Sequence, residues 1–287
     1  MLAHVLNSIN DFFWDIPFLT FIVGIGLYFF LKSRLFPVVH FGHILRHTVF
    51  SSKEEQTTKE KGTVSPFEAV CIAIGGSVRV GCIGGVATAV ATGGPGAVFW
   101  MWVWAFCGMM IKCVETALSC HFRSRNEKGE YYGGATYFIE KGIGRQMHHA
   151  KFAKGLAIAF GIGLVEQFLG GSQVFTIAEI LNKSFGMNMI VVTLIYSAFL
   201  FYIIFRGIPR IASFATKVVP LMCVLVVLGG LVIIAINYQV IPDVLYSIFH
   251  DAFTGTAATG GFTGAAVAKV IGDGVARSIN SNEAGQG

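Results

Sequence analysis

The residues of this chain that could bind a small solute lie in a glycine-rich stretch inside an apolar segment. Residues 75–96 read GGSVRVGCIGGVATAVATGGPG and include eight glycines. A glycine in a helix interior costs about 1 kcal/mol relative to alanine, so this density predicts a broken helix. In a bilayer, the backbone groups freed by a break are tolerated only where they face protein or a water-filled cavity. The stretch therefore predicts a transport site, and close helix packing through small residues is the alternative interpretation.

Charged side chains inside apolar segments are the second candidates for chemistry. Arg79 lies within the glycine-rich stretch, and Glu166 lies next to Gln167 in a later segment. Lys112 and Glu115 are three residues apart, which places them on one helical face. An ionisable residue in a membrane is a functional hypothesis by default. The Lys112–Glu115 pair is also interpreted as a lock for helix packing, and Arg79 with Glu166 as a candidate compensating pair.

Metal binding and enzymatic catalysis receive little support from the sequence. His40, His43 and His47 could share a helical face, but no carboxylate or cysteine accompanies them, which favours an interfacial amphipathic helix. The six cysteines show no CxxC spacing and read as small buried side chains. No segment carries HExxH or GxSxG, so we do not expect an enzyme or a cofactor.

The composition is that of a membrane protein, and seven segments are long enough to cross a bilayer. Hydrophobic residues make up 54% of the 287 residues, charged residues only 13%, and the mean hydropathy is +0.67. The run FWMWVW at the start of the third segment predicts an aromatic belt at the membrane interface. The predicted spans are residues 12–31, 66–92, 97–120, 152–180, 187–205, 218–236 and 248–270.

The basic residues predict the orientation of these spans. Eighteen of the 21 Lys and Arg residues lie on one side, Lys183 lies alone on the other, and Arg79 and Lys112 lie within spans. By the positive-inside rule the N-terminus is outside and the C-terminus is cytoplasmic. The basic residues behind the net charge of +5 are thus distributed according to the membrane topology, and the charge does not indicate a nucleic-acid partner.

Several motifs, in order along the chain, resemble the alanine-or-glycine:cation (sodium:alanine) symporter family of bacteria and archaea. The resemblance covers residues 75–287 and includes the following motifs: GGVATAVATGGPGAVFWMWVWAF, KCVETAL, GGATYFIEKGIG, GIPRIASFATKVVPLM, AFTGTAATGGFTGA and GVARSINSNEAGQG. It implies an all-α integral membrane protein with an inverted-repeat amino-acid transporter (LeuT-like) fold. Residues 1–62 would form an extra N-terminal helix with its cytoplasmic connection. Residues 63–240 would form a five-span first repeat, and 241–287 the first broken helix of a second repeat that is truncated.

The resemblance also implies a function and a set of site residues. The function is sodium-coupled symport of alanine or glycine across the bacterial cytoplasmic (inner) membrane, with sodium as coupling ion and the lipid bilayer as surroundings. No catalytic residue is implied, and sodium would lie near Gly76, Ser77 and Ile83. The substrate would lie between the two glycine-rich breaks, at Val80, Gly81, Cys82, Gln167, Thr259, Gly260, Gly261 and Phe262.

This chain departs from the family pattern in three places. At the first break the family reads close to G-T-G-N-I-A-G-V, but Val80 and Cys82 replace the hydroxyl and the amide, beside Arg79. In the fourth span Leu169 replaces a polar residue. The sequence stops at SNEAGQG, within a family motif. We therefore expect a truncated or degenerate form that is inactive alone. The alternative is a non-transporting subunit that assembles with a separately encoded C-terminal half.

Overall fold

The computed structural model describes residues 16–49, 64–78, 80–127, 129, 131–169, 172–205, 207–254, 270–272, 274–275, 278–279, 281 and 283, and these residues are mostly helical. The helices are α1 (Ile16–Lys32), α2 (Phe36–Val39), α3 (Phe41–Val49), α4 (Pro66–Ser77), α5 (Val80–Gly93), α6 (Gly96–His121), α7 (Ala135–Phe138), a π-helix (Ile139–Gln146), α8 (Ala150–Leu169), α9 (Ser172–Phe185), α10 (Met189–Ile204), α11 (Ile208–Ile236), a 3-10 helix (Tyr238–Val240) and α12 (Ile241–Thr254). A short antiparallel ribbon pairs β1 (Ser124–Arg125) with β2 (Tyr131–Tyr132).

The long apolar helices agree with the prediction of an integral membrane protein. Within the described ranges, α6 and α11 are each long and apolar enough to cross a membrane, and α4 and α5 reach that criterion as a joined pair. The helices α1 and α10 are apolar but shorter. The predicted fourth span differs from the structure, because α8 ends at Leu169 and α9 begins at Ser172. The three histidines also differ: His40 ends α2, and only His43 and His47 lie on α3.

The chain divides into two compact units. The first contains Met1–His40, Cys82–Lys112 and Val224–Ala284. In its core α1 packs closely against α6, because a Cβ on Gly26 would lie 2.6 Å from the Cβ of Cys107. Trp104 is fully buried there with Leu19 and Val275. Its burial is a correction to the predicted aromatic belt, since this tryptophan faces the core.

The second unit contains Phe41–Gly81, Cys113–Cys223 and Gly285–Gly287. Within it the π-helix packs on α8, where a Cβ on Gly144 would lie 3.2 Å from the Cβ of Ala153. α9 packs on α10, and α3 packs on α4. Lys141 of the π-helix donates a hydrogen bond of 2.6 Å to the carbonyl of Phe122. The π-helix is thereby joined to the end of α6, as well as to α8.

Candidate solute-binding site

The second predicted span is broken in the structure, at Val78. α4 begins with a capping box in which Ser65 accepts from the Glu68 N–H at 3.2 Å and Glu68 accepts from the Ser65 N–H at 2.7 Å. The helix ends when Val78, whose N–H still reaches the Ile74 carbonyl at 2.8 Å, turns out of helical geometry with φ −92° and ψ 72°. A new helix, α5, begins at Val80. The predicted break is therefore present, but it precedes the glycines at 81–85, which are helical.

The break supplies backbone groups of both polarities. The first N–H groups of a helix have no partner within it, and in α5 these include the N–H groups of Val80, Gly81 and Cys82. They carry the positive end of the helix dipole, which favours a carboxylate. Ile83 is the fourth residue of α5, and the sodium position predicted near it stays a prediction.

The acceptors come from the end of α4. The last carbonyls of a helix also lack intrahelical partners, and here they include those of Gly76 and Ser77. The Ser77 hydroxyl donates to the Ala73 carbonyl at 3.0 Å, which leaves the lone pairs of its oxygen available to a cation. These groups are the types that an ammonium group or a sodium ion requires.

The glycines of the stretch serve two different purposes. A Cβ on Gly75 would lie 3.1 Å from Cγ2 of Val219, and a Cβ on Gly96 only 2.4 Å from the backbone of Ala252. These two positions match the interpretation of close packing through small residues. By contrast, nothing in the described part of the chain lies within 4 Å of a Cβ built on Gly81 or Gly84. Gly81 and Gly84 therefore make no such close packing contact with the described part of the chain.

The two charged residues of the third span lie on α6, where Glu115 is buried and Lys112 is partly buried. Glu115 is only 7% exposed. The ammonium group of Lys112, which is partly buried, donates to the carbonyl oxygen of Glu283 at 3.2 Å. Both residues have further interactions. The hydrogen bond to Glu283 connects α6 to the C-terminal part of the chain, and the interpretation of the Lys112–Glu115 pair as a lock for helix packing stays a prediction.

Several predicted site residues cannot be placed by the structure. Glu166 and Gln167 belong to α8, but their side chains are outside the description. Arg79 lies outside the described residues, and so do all four predicted positions of the second break: Thr259, Gly260, Gly261 and Phe262. Their assignment to a substrate site stays a prediction.

One buried acid was missed by the sequence reasoning. Asp251 of α12 is 8% exposed, and Oδ1 of its carboxylate lies 3.0 Å from Nδ1 of His250. The signal was available, because both residues fall inside the predicted seventh span.

In the described ranges no three His, Cys, Asp or Glu residues come together as a metal site. The groups identified at the break are backbone amides and carbonyls, which suit a zwitterion or a monovalent cation.

Comparison with known proteins gives one family and several relatives. The model of the sodium:alanine symporter family matches residues 1–287. A sodium/alanine symporter, AgcS, from Methanococcus maripaludis is 34% identical over 287 residues, covering 99% of this chain and 61% of the relative. A putative sodium/proton-dependent alanine carrier protein, YrbD, from Bacillus subtilis is 38% identical, covering 100% and 56%. A probable sodium/glutamine symporter, GlnT, from the same organism is 33% identical, covering 100% and 57%. The chain thus spans about three fifths of the length of these curated relatives.

Proposed function

Because the chain belongs to the sodium:alanine symporter family, we propose that the complete protein couples sodium entry to the uptake of a small neutral amino acid, alanine or glycine. The family is one of transporters, which confirms the prediction of a transporter family rather than an enzyme family. The observation that supports this proposal is the break at Val78, which puts unpaired amides and unpaired carbonyls next to each other in the chain.

The carboxylate of the amino acid binds the N–H groups at the start of α5. Val80, Gly81 and Cys82 contribute backbone donors there, and these donors exist whatever side chain each residue carries. The departures from the family pattern at positions 80 and 82 therefore remove side-chain contacts but leave the backbone site in place. The open space at Gly81 gives the substrate room beside these donors.

Sodium and the ammonium group of the substrate bind carbonyl oxygens. Gly76 and Ser77 supply them from the end of α4. We propose that the substrate also contacts the residues predicted at the second break, Thr259, Gly260, Gly261 and Phe262, with Gln167 as an added polar contact. In this proposal residues 63–240 form the first inverted repeat and residues 241–287 begin the second. The protein lies in the bacterial cytoplasmic membrane with its N-terminus outside.

The proposed substrate is an amino acid with a small side chain. Two of the relatives are named for alanine and one for glutamine, so the family spans more than one amino acid. The small residues Gly81 and Gly84 in the first turns of α5 favour alanine or glycine in this chain, because each adds no side chain to the open space.

The test is uptake of labelled alanine by the complete protein in liposomes, with and without an inward sodium gradient. We expect sodium-dependent uptake that Gly81→Val lowers at least about tenfold, because the valine side chain would occupy the open space beside the donors. The substrate would then lose one or two polar contacts, at a cost of about 1–3 kcal/mol. Gly229→Val is the matched control, since Gly229 of α11 is also exposed with nothing within 4 Å of an added Cβ. Uptake that ignores sodium, or equal loss in both variants, would contradict the proposal.

A further inference from the structure

A cavity of about 560 Å³ lies where the π-helix packs on the first turns of α8, and none of its lining residues belongs to the broken span. Glu140 and Arg145 line it from the π-helix, and Lys154, Ala157 and Ile158 line it from α8. The close approach of Gly144 to Ala153 holds the two helices together beside it. Its lining therefore combines two cations and one carboxylate with apolar side chains.

The two cations of the cavity differ from the other basic residues of this region. Arg123 and Arg125 stack over the Tyr131 ring, at 3.9 Å and 4.5 Å from its centroid. Lys141 donates to the Phe122 carbonyl and to the Ser124 hydroxyl. Arg145 and Lys154 make no hydrogen bond or ion pair with any described residue, and both are exposed. They are consequently available to a ligand.

The apolar part of the cavity continues along α8. Lys154 and Ile158 are four residues apart on one helical face, and Ile162 and Val165 extend that face. Ile158, Ile162 and Val165 are 54%, 66% and 57% exposed. Val165 lies about 16 Å along the helix from Lys154. A cationic end followed by an exposed apolar stripe of this length is complementary to a phosphate head group and the first part of an acyl chain.

We propose that this cavity binds the head group of an anionic phospholipid, phosphatidylglycerol, with its acyl chain along Ile158, Ile162 and Val165. The phosphodiester lies between the guanidinium of Arg145 and the ammonium of Lys154, as charge-assisted hydrogen bonds require. The glycerol hydroxyls of the head group donate to the carboxylate of Glu140. The lining carries one net positive charge, which matches the single negative charge of this lipid. The site is independent of the solute-binding break.

The experiment measures lipid retention by the chain purified in detergent, using native mass spectrometry with equal amounts of phosphatidylglycerol, phosphatidylethanolamine and phosphatidylcholine. We expect phosphatidylglycerol to be retained most strongly. Each cation removed, in Arg145→Gln and in Lys154→Gln, should lower that retention about fivefold. Lys151→Gln is the matched control, because it removes the same charge from the same end of α8 but outside the cavity lining. It should leave the preference unchanged.

Two further measurements test whether the cation at position 154 and the lipid itself are required for binding. Lys154→Arg retains the cation and should retain the preference, so it tests the site even where a glutamine variant fails to fold. Glycerol 3-phosphate, a soluble phosphate, should not displace the bound lipid at equal concentration. Equal retention of the three lipids, equal loss in Lys151→Gln, or displacement by glycerol 3-phosphate would each overturn the proposal.

Discussion

The indole Nε1–H of Trp100 donates a hydrogen bond of 3.0 Å to the carbonyl oxygen of Ala252. Ala252 of α12 is fully buried, and the hydrogen bond supplies a polar partner to its carbonyl group and joins α6 to α12. One turn earlier, Gly96 lets the backbones of α6 and α12 come into direct contact.

Replacing Trp100 by Phe should lower the free energy of unfolding by about 1 kcal/mol. The ring and most of its packing are kept, but the hydrogen bond to Ala252 is lost. Thermal unfolding in detergent, followed by tryptophan fluorescence, measures the effect. Trp102→Phe is the control, because Trp102 is 43% exposed and contacts Phe249 through its ring. An equal shift in both variants would show that ring size, and not the hydrogen bond, matters.

Gly96→Ala should destabilise the protein strongly. The added Cβ would lie 2.4 Å from backbone atoms of both Asp251 and Ala252, and backbone cannot move aside as a flexible side chain can. We expect a loss of about 1–3 kcal/mol, the range for overpacked sites. Gly229→Ala makes the same change in open space on α11 and should be neutral or stabilising. The midpoint of thermal unfolding compares the two, and a neutral Gly96→Ala would contradict the close contact.

Lys112→Met should loosen the segment that contains Glu283. The variant removes the ammonium group that donates to the Glu283 carbonyl, a hydrogen bond of the charged class that contributes about 1.5–3 kcal/mol. Hydrogen exchange of the peptide containing Glu283 should become faster, and the unfolding midpoint should fall. Lys183→Met is the control, since Lys183 pairs with Glu179 at an exposed position, where ion pairs contribute little. Unchanged exchange in Lys112→Met would contradict a stabilising role for this hydrogen bond.

The helix positions that apolar length determines could be predicted from the sequence. The third span was expected at 97–120, and α6 is Gly96–His121. The GGPG turn before it is confirmed, since Gly94 has φ 77° and its N–H reaches the Val90 carbonyl at 2.9 Å. Such features depend on local composition, because apolar length sets a span and glycine readily adopts a positive φ.

The features that depend on tertiary neighbours could not be predicted. The glycines at 81–85 suggested the break, but glycine permits both helix and turn, and the helix geometry is lost at Val78. The tryptophans suggested an interfacial belt, yet Trp104 is fully buried because that face of α6 meets Leu19 and Val275. The sequence pattern carries no information about which helix covers which face. The sequence thus indicated a break in this span, but the position of the break required the structure.

The orientation predicted from the basic residues can be tested without any assay of transport. Eighteen Lys and Arg residues lie on one side of the predicted spans and Lys183 alone on the other, which favours an external N-terminus. A reporter fused after Gly96 should signal the outside, and one fused after Lys128 should signal the cytoplasm. Alkaline phosphatase is active only outside and green fluorescent protein only inside, so each position is read by two opposite signals. The fusion sites flank α6, and opposite signals at the two sites also test whether this helix crosses the bilayer. Swapped signals would reverse the orientation, and equal signals would show that α6 does not span.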